Sequence, residues 1–280
     1  MTKGLVRHLK NSRIIGKLLK NSMLLKNLYW YDKPIKSFLG LKGILQFIWF
    51  RFNYKEDEVL TNYNIKPLYF ARPIGDGLKS SGATTWNCTS LNNDPIIEGN
   101  STCKLLESNA KKIIDEYKSN IDSIAIHPDN TTLAKNGEWS GIFLYGVGGK
   151  RNAAVEGKFT QTFKVIEQLP ISKNFGFVLI SRLAPGTKVL PHCGSSNLRF
   201  RYHLALDVPE PDKVSIRVGK HWQGWQEGKA FGFDDSFEHE VIHNGSKPRV
   251  VLIVDTWNPA LSKEEIKLLD HPVFHSFGRL

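Results

Sequence analysis

The stretch that most constrains this chain is residues 198–208, Leu-Arg-Phe-Arg-Tyr-His-Leu-Ala-Leu-Asp-Val. Successive side chains of an extended strand point to opposite faces, so Leu198, Phe200, Tyr202, Leu204 and Leu206 share one face. Arg199, Arg201, His203, Ala205 and Asp207 share the other. The first face demands an apolar layer. The second either meets water or lines a polar pocket, and a start only six residues after His192 favours the pocket.

The surrounding sequence has the same character. Residues 141–145 and 175–183 are rich in aromatic and branched side chains, Ala184-Pro185-Gly186-Thr187 and Asn244-Gly245 are turns, and residues 250–254 form an apolar run. Short strands at turn-bounded intervals predict a mainly β protein in which two antiparallel sheets face each other, a jelly roll with helices packed outside. Upstream, residues 103–117 have helical spacing through Leu105, Leu106, Ile113 and Ile114, and residues 75–82 and 92–95 read as loops. Residues 56–136 receive no chemical role.

Two histidines and a late arginine suggest a metal and an anion. His192 lies in Pro191-His192-Cys193-Gly194 and His239 in Phe233-Asp234-Asp235-Ser236-Phe237-Glu238-His239-Glu240-Val241. Arg249 follows ten residues later, with room between for a turn and a return strand. Imidazole is a good ligand for Fe(II), a redox metal needs open coordination positions for its co-reactants, and a barrel gathers distant residues at one end of its interior. A planar guanidinium meets a carboxylate bidentately, as lysine cannot. This is the layout of a 2-oxoglutarate-dependent oxygenase. Cys193 is read as packing, because adjacent strand residues face opposite ways and His192 takes the iron side. Trp222, Trp225 and Trp257 are read as core or hairpin aromatics rather than substrate platforms.

These segments, with Gly137-Glu138-Trp139-Ser140, Asn197-Leu198-Arg199-Phe200-Arg201-Tyr202-His203-Leu204, Trp225-Gln226-Glu227-Gly228 and the run from Arg249 through Val254-Asp255-Thr256-Trp257-Asn258-Pro259, closely resemble the aspartyl/asparaginyl β-hydroxylase family. The resemblance is strongest over residues 138–265. It implies a double-stranded β-helix, a cupin-like jelly roll, that uses Fe(II), 2-oxoglutarate as cosubstrate and O₂. It implies His192 and His239 as the metal ligands, and Arg249, Ser181 and His203 as residues that touch 2-oxoglutarate. The common iron site adds a carboxylate two residues after the first histidine. That position is Gly194 here, as in the family pattern, which leaves water in place of the acid. Asp235 is then the candidate carboxylate that fixes such a water and completes the catalytic set. Its alternative is a turn aspartate holding backbone amides. The resemblance also turns Arg199 and Arg201 toward the substrate, where they would hold a carboxylate.

The implied reaction hydroxylates a substrate carbon while 2-oxoglutarate is decarboxylated to succinate and CO₂. The expected substrate is an aspartyl or asparaginyl residue or another carboxylate-bearing molecule, whether peptide or small molecule. Members resembling lipid A hydroxylases act on acyl chains, so a membrane-associated lipid hydroxylase stays open. The rival from another class is a non-catalytic jelly-roll binding protein.

Charge divides the chain. Residues 1–55 hold 12 Lys or Arg against one acid, Asp32, and the remainder holds 26 of each sign. Apolar pairs recur every three or four positions between these cations, which predicts a basic amphipathic helical region ahead of an oxygenase domain over residues 56–280. One reading lays this region on an anionic membrane surface, and the other packs it on the barrel with a solvated basic face. No nucleic acid is expected, since no reader motif accompanies the charge. Three cysteines, Cys88, Cys103 and Cys193, are too few and odd in number for a disulfide framework and fit a reducing compartment. The expected location is cytoplasmic or peripheral to a membrane. The glycosylation-type triplets at Asn87, Asn100, Asn130 and Asn244 are read as chance matches.

Overall fold

In the computed structural model the described residues are 65–68, 85–88, 94–146, 149–172, 176–194, 198–263 and 266–267. The basic region read over residues 1–55 lies outside them, as does Asn197. Two strands, β1 (Ile65–Leu68) and β2 (Thr85–Cys88), pair antiparallel with each other. Then follow β3 (Ile96–Glu98), helices α1 (Ser101–Ser108) and α2 (Ala110–Ser119), β4 (Ala125–Ile126), α3 (Asn130–Leu133), β5 (Ala134–Lys135), β6 (Trp139–Gly146) and β7 (Lys150–Arg151). After α4 (Ala153–Glu156) and α5 (Thr160–Ile166) come β8 (Val178–Leu183), β9 (Lys188–His192), β10 (Arg199–Asp207), β11 (Val214–Val218), β12 (His221–Gly224), β13 (Ala230–Phe233), β14 (His239–His243) and β15 (Arg249–Trp257).

These strands form two sheets besides the β1–β2 pair. The larger runs β3-β13-β10-β15-β8-β6-β4 with β7 beside β6, and the smaller runs β12-β11-β14-β9-β5. Every pairing is antiparallel. The architecture is the expected mainly β jelly roll.

The alternation of β10 explains where the layers lie. Phe200, Tyr202, Leu204 and Leu206 pack with Val250, Leu252 and Val254 of β15 against Leu106, Ile113, Tyr117, Phe163 and Ile166 from the helices. Each such buried side chain contributes about 1.5–3 kcal/mol, so this outer face anchors the strand. On the inner face Ala205 joins Leu179, Leu183, Val251, Ile253, Phe231 and Phe233 against Val189, Val214, Ile216, Val218 and Val241 of the smaller sheet. β15 is buried at every residue, because one face meets helices and the other meets a sheet. A strand covered on both sides reads as a nearly continuous apolar run, as residues 250–254 do.

The helical spacing over residues 103–117 belongs to two helices. Asn109 separates them, its side-chain amide donating to the Leu105 carbonyl and closing α1. In α2 the buried Ala110, Ile113, Ile114 and Tyr117 form one stripe at the 3.6-residue period. Asn100 fastens this layer to the sheet: its Oδ1 accepts from Cys103 N–H at the start of α1, and its amide donates to Tyr202 Oη at 2.7 Å. Glu116 of α2 likewise accepts from the backbone N–H groups of Gln161 and Thr162 at the start of α5. With one face of the larger sheet sealed in this way, Arg199, Arg201 and His203 are committed to the space between the sheets. Among the described residues no helix is long and apolar enough to cross a membrane.

Candidate functional site

β9 and β14 are neighbours in the smaller sheet, and His239 stands directly opposite His192. Their ring centroids are 4.2 Å apart. His192 Nδ1–H donates to the Leu190 carbonyl at 2.7 Å and His239 Nδ1–H to the Phe237 carbonyl at 2.9 Å. A carbonyl only accepts, so each Nδ1 carries the hydrogen and each Nε2 presents a lone pair. Burial lowers the pKa of both, the charge of Arg201 lowers both further, and the His192 ring adds to the effect on His239. Two neutral imidazoles with oriented lone pairs suit a divalent transition metal. Among the described residues no group of three or more His, Cys, Asp or Glu side chains could hold a metal ion. Arg217 on β11 steadies the ladder by binding Glu238 and Glu240, which flank His239.

The space beside Gly194, two residues after His192, is filled by a carboxylate from elsewhere in the chain. A Cβ on Gly194 would lie 2.3 Å from Cγ and Oδ2 of Asp235 and 2.5 Å from Oδ1. The Asp235 carboxylate, fully buried, accepts from Arg199 Nε at 3.2 Å and Nη2 at 2.7 Å. Arg201 makes the same fork to Asp255, at 2.8 and 2.9 Å. Cross contacts of 3.5 Å between Arg201 and Asp235 and 3.7 Å between Arg199 and Asp255 close the four groups into one network. Burial pushes the Asp235 carboxyl up, but the charges of Arg199 and Arg201 outweigh it and hold it well below the usual carboxylate range. The two arginines thus face inward, and each is already engaged by an aspartate. Asp235 is more than a turn residue, because its carboxylate reaches side chains on β10.

Arg249 is different. It is 3% exposed, its Nε and Nη1 have no hydrogen-bond partner, and its guanidinium lies 4.7 Å from the Trp225 ring centroid. Burial lowers its pKa to about 9, which still leaves it charged at neutral pH. Beside it, Trp225 Nε1–H donates to His203 Nδ1 at 3.3 Å, so His203 carries its hydrogen on Nε2, and that donor has no partner. Burial, Arg249, Arg201 and His239 keep His203 neutral. Ser181, on the inner face of β8, accepts from Trp139 Nε1 at 3.0 Å. A buried cation and a neutral N–H donor, both without partners, make a socket for an anion.

The sequence missed two contributors. Asp255 belongs to an inward-facing position of β15, opposite Arg201 across the ladder. The signal was an acid directly after the apolar run of residues 250–254. His127, 3% exposed, stacks on Trp139 with centroids 3.7 Å apart and planes within 2°. Nothing in its neighbourhood has a period that would flag it. Of the residues read as packing, Cys193 is buried and burial pushes its thiol up to about 12. Trp257 is buried and Trp222 is exposed on the β11–β12 hairpin. Trp225 packs in the inner core and also forms the floor beneath Arg249.

A family model described as aspartyl/asparaginyl beta-hydroxylase matches residues 107–259, more than half of the chain. The human protein named aspartyl/asparaginyl beta-hydroxylase is 36% identical over 170 residues, which are 59% of this chain and 22% of that protein. An ornithine lipid ester-linked acyl 2-hydroxylase from Rhizobium tropici is 37% identical over 138 residues, which are 49% of this chain and 48% of that protein. Among solved structures, a Pseudomonas putida prolyl-4-hydroxylase aligns with a TM-score of 0.32 at 10% identity, covering 59% of this chain and 93% of that chain. The chain spans less than half the length of either curated relative.

Proposed function

The chain belongs to the aspartyl/asparaginyl β-hydroxylase family, and from that footing we propose that it is an Fe(II)- and 2-oxoglutarate-dependent hydroxylase of a substrate carbon. The observation that carries this reading is Arg249, a buried cation without a hydrogen-bond partner in the same inter-sheet space as two histidines that present lone pairs. A buried charge left unpaired costs several kcal/mol, and a dicarboxylate cosubstrate removes that cost on binding.

His192 and His239 would hold the iron through Nε2. Iron so held, with 2-oxoglutarate and O₂ as co-reactants, supplies the oxidation, in which the keto acid loses CO₂ to become succinate and one oxygen atom enters a substrate C–H bond. Arg249 meets the distal carboxylate, and His203 Nε2–H and Ser181 add neutral polar contacts at that end. Asp235, held by Arg199, lies against Gly194, where it accepts from a neutral water and repels an anion. Each arginine has five N–H donors and gives two to its aspartate, so Arg199 and Arg201 retain edges that can meet a substrate carboxylate.

The substrate read first is an aspartyl or asparaginyl residue, after the human relative's name. An acyl chain of a lipid is the second, favoured by the Rhizobium relative, which this chain matches over a larger share of that protein's length. The deciding experiment is an anaerobic titration with Fe(II) and 2-oxoglutarate, followed by the weak visible band of the chelate. The band is expected in the wild type and lost in His192→Ala. Aerobic succinate release is then compared with aspartyl peptides and acyl lipids against His239→Ala. No band in the wild type rejects the oxygenase reading in favour of a binding protein.

A further inference from the structure

Four of the histidines fall into two tautomers, and their hydrogen-bond partners decide which. His192 and His239 donate Nδ1–H to carbonyls and expose Nε2 lone pairs. His203 accepts at Nδ1 from Trp225, and His127 accepts at Nδ1 from the Asp129 backbone N–H at 3.1 Å, so both of these carry hydrogen on Nε2. In both cases that Nε2–H is buried and has no partner. The first pair can bind a metal. The second pair can only donate, and a buried unmet donor calls for an acceptor.

The two donors serve different parts of the interior. His203 lies on β10, next to the strand β15 that carries Arg249, and its partner Trp225 also stacks on Arg249, which places it at the Arg249 end. His127 follows β4, at the far edge of the same sheet beyond β8 and β6. His127 enters from the β4–β6 edge, where its own N–H donates to the Trp139 carbonyl and its ring is clamped between that loop and the Trp139 indole. Phe143, 5.5 Å away, closes the apolar side. The imidazole therefore has one fixed orientation and one unspent hydrogen bond.

We infer that His127 is a substrate-positioning residue: its Nε2–H donates to an oxygen acceptor, a carboxylate or amide carbonyl, next to the carbon that is hydroxylated. This rests on the oxygenase reading, and it divides labour between His203 for the cosubstrate and His127 for the substrate. A neutral donor orients either acceptor without adding charge to a space that already holds three arginines.

The test uses the full chain loaded with Zn(II), which binds imidazole and has no redox chemistry, and follows two titrants by calorimetry. The first is 2-oxoglutarate, and the second is a capped Gly-Asp-Gly peptide as acceptor probe. Wild type is compared with His127→Phe, which keeps a flat ring on Trp139 without the donor, and with His127→Gln, which keeps a donor. The expected result is 2-oxoglutarate affinity unchanged within about twofold in all three, peptide affinity lowered about five- to tenfold in His127→Phe, and recovery in His127→Gln. A fall in 2-oxoglutarate affinity on the Phe substitution overturns the inference, since the donor would then serve the cosubstrate. Equal peptide affinity in all three proteins, or no peptide binding to a wild type that does take up 2-oxoglutarate, overturns it too. A wild type that takes up no 2-oxoglutarate sinks the oxygenase reading itself, so the two failures are told apart.

Discussion

The carboxylate of Asp235 occupies the space that any side chain on Gly194 would need, with only 2.3 Å between its Cγ and the place of a Cβ. Asp235 is held there by two hydrogen bonds from Arg199, so it cannot give way without breaking a buried charge pair. The absence of an acid two residues after His192 is thus a built feature of the site.

On the proposed reading Gly194→Asp should accordingly weaken Fe(II) binding, although it adds a carboxylate at the position where the common iron site carries one. Gly194→Ala isolates the steric part and should cost about 1–3 kcal/mol of stability through overpacking. Urea denaturation of the metal-free proteins and Fe(II) titration measure the two effects separately. Tighter iron binding in Gly194→Asp would contradict this geometry.

Removing the unpaired cation should separate stability from function. Arg249→Met keeps the stacking volume over Trp225 and deletes a buried charge that has no acid, so the metal-free protein should gain about 1–3 kcal/mol. The same change should weaken 2-oxoglutarate at least about thirtyfold, as loss of a buried charge partner does. Thermal melts with and without 2-oxoglutarate test both, because the ligand should shift only the wild type.

The Arg201–Asp255 pair predicts the opposite sign. Asp255→Ala leaves Arg201 buried and facing Asp235 alone at 3.5 Å, and should cost about 3–5 kcal/mol. The alanine Cβ stays 2.3 Å from the place of a Cβ on Gly176, so the substitution does not relieve the need for glycine there. Denaturation midpoints with an unchanged m-value would establish that the loss is in the folded state.

Acid should destabilise the metal-free protein well before the carboxylates titrate. Burial lowers His127 from 6.5 to about 4 and also lowers His192, His203 and His239. The unfolded chain therefore binds more protons than the folded one between these values, so stability is full above about pH 6.5 and falls as the pH drops toward 4. His127 alone accounts for about 3 kcal/mol at the acid end. Melting at several pH values checks the slope, and His127→Phe should flatten it. Bound metal should deepen the loss, since it needs His192 and His239 unprotonated.

What was legible in the sequence is what has a period or a motif. The alternation of residues 198–208 gives both faces of β10, and the two histidine motifs with Arg249 mark the ends of β9, β14 and β15. Partners across the interior leave no such trace. Arg199 and Arg201 read as free cations aimed at a substrate because Asp235 and Asp255 are distant in sequence, and only the β10–β15 register and the turn before β14 bring them together. His127 lies in a loop whose shape is set by backbone bonds to Trp139, so its tautomer follows from tertiary contacts alone.

The His192–His239 pairing also has a kinetic side. The two histidines become neighbours only when β9 and β14 are in register, and these strands are separated in the chain by β10 through β13. Such non-local pairings form slowly, after loop closure has been overcome. Metal uptake during refolding would therefore clock the closure of the second sheet, and a stopped-flow signal from the ion would time an event that backbone probes of the helices cannot see.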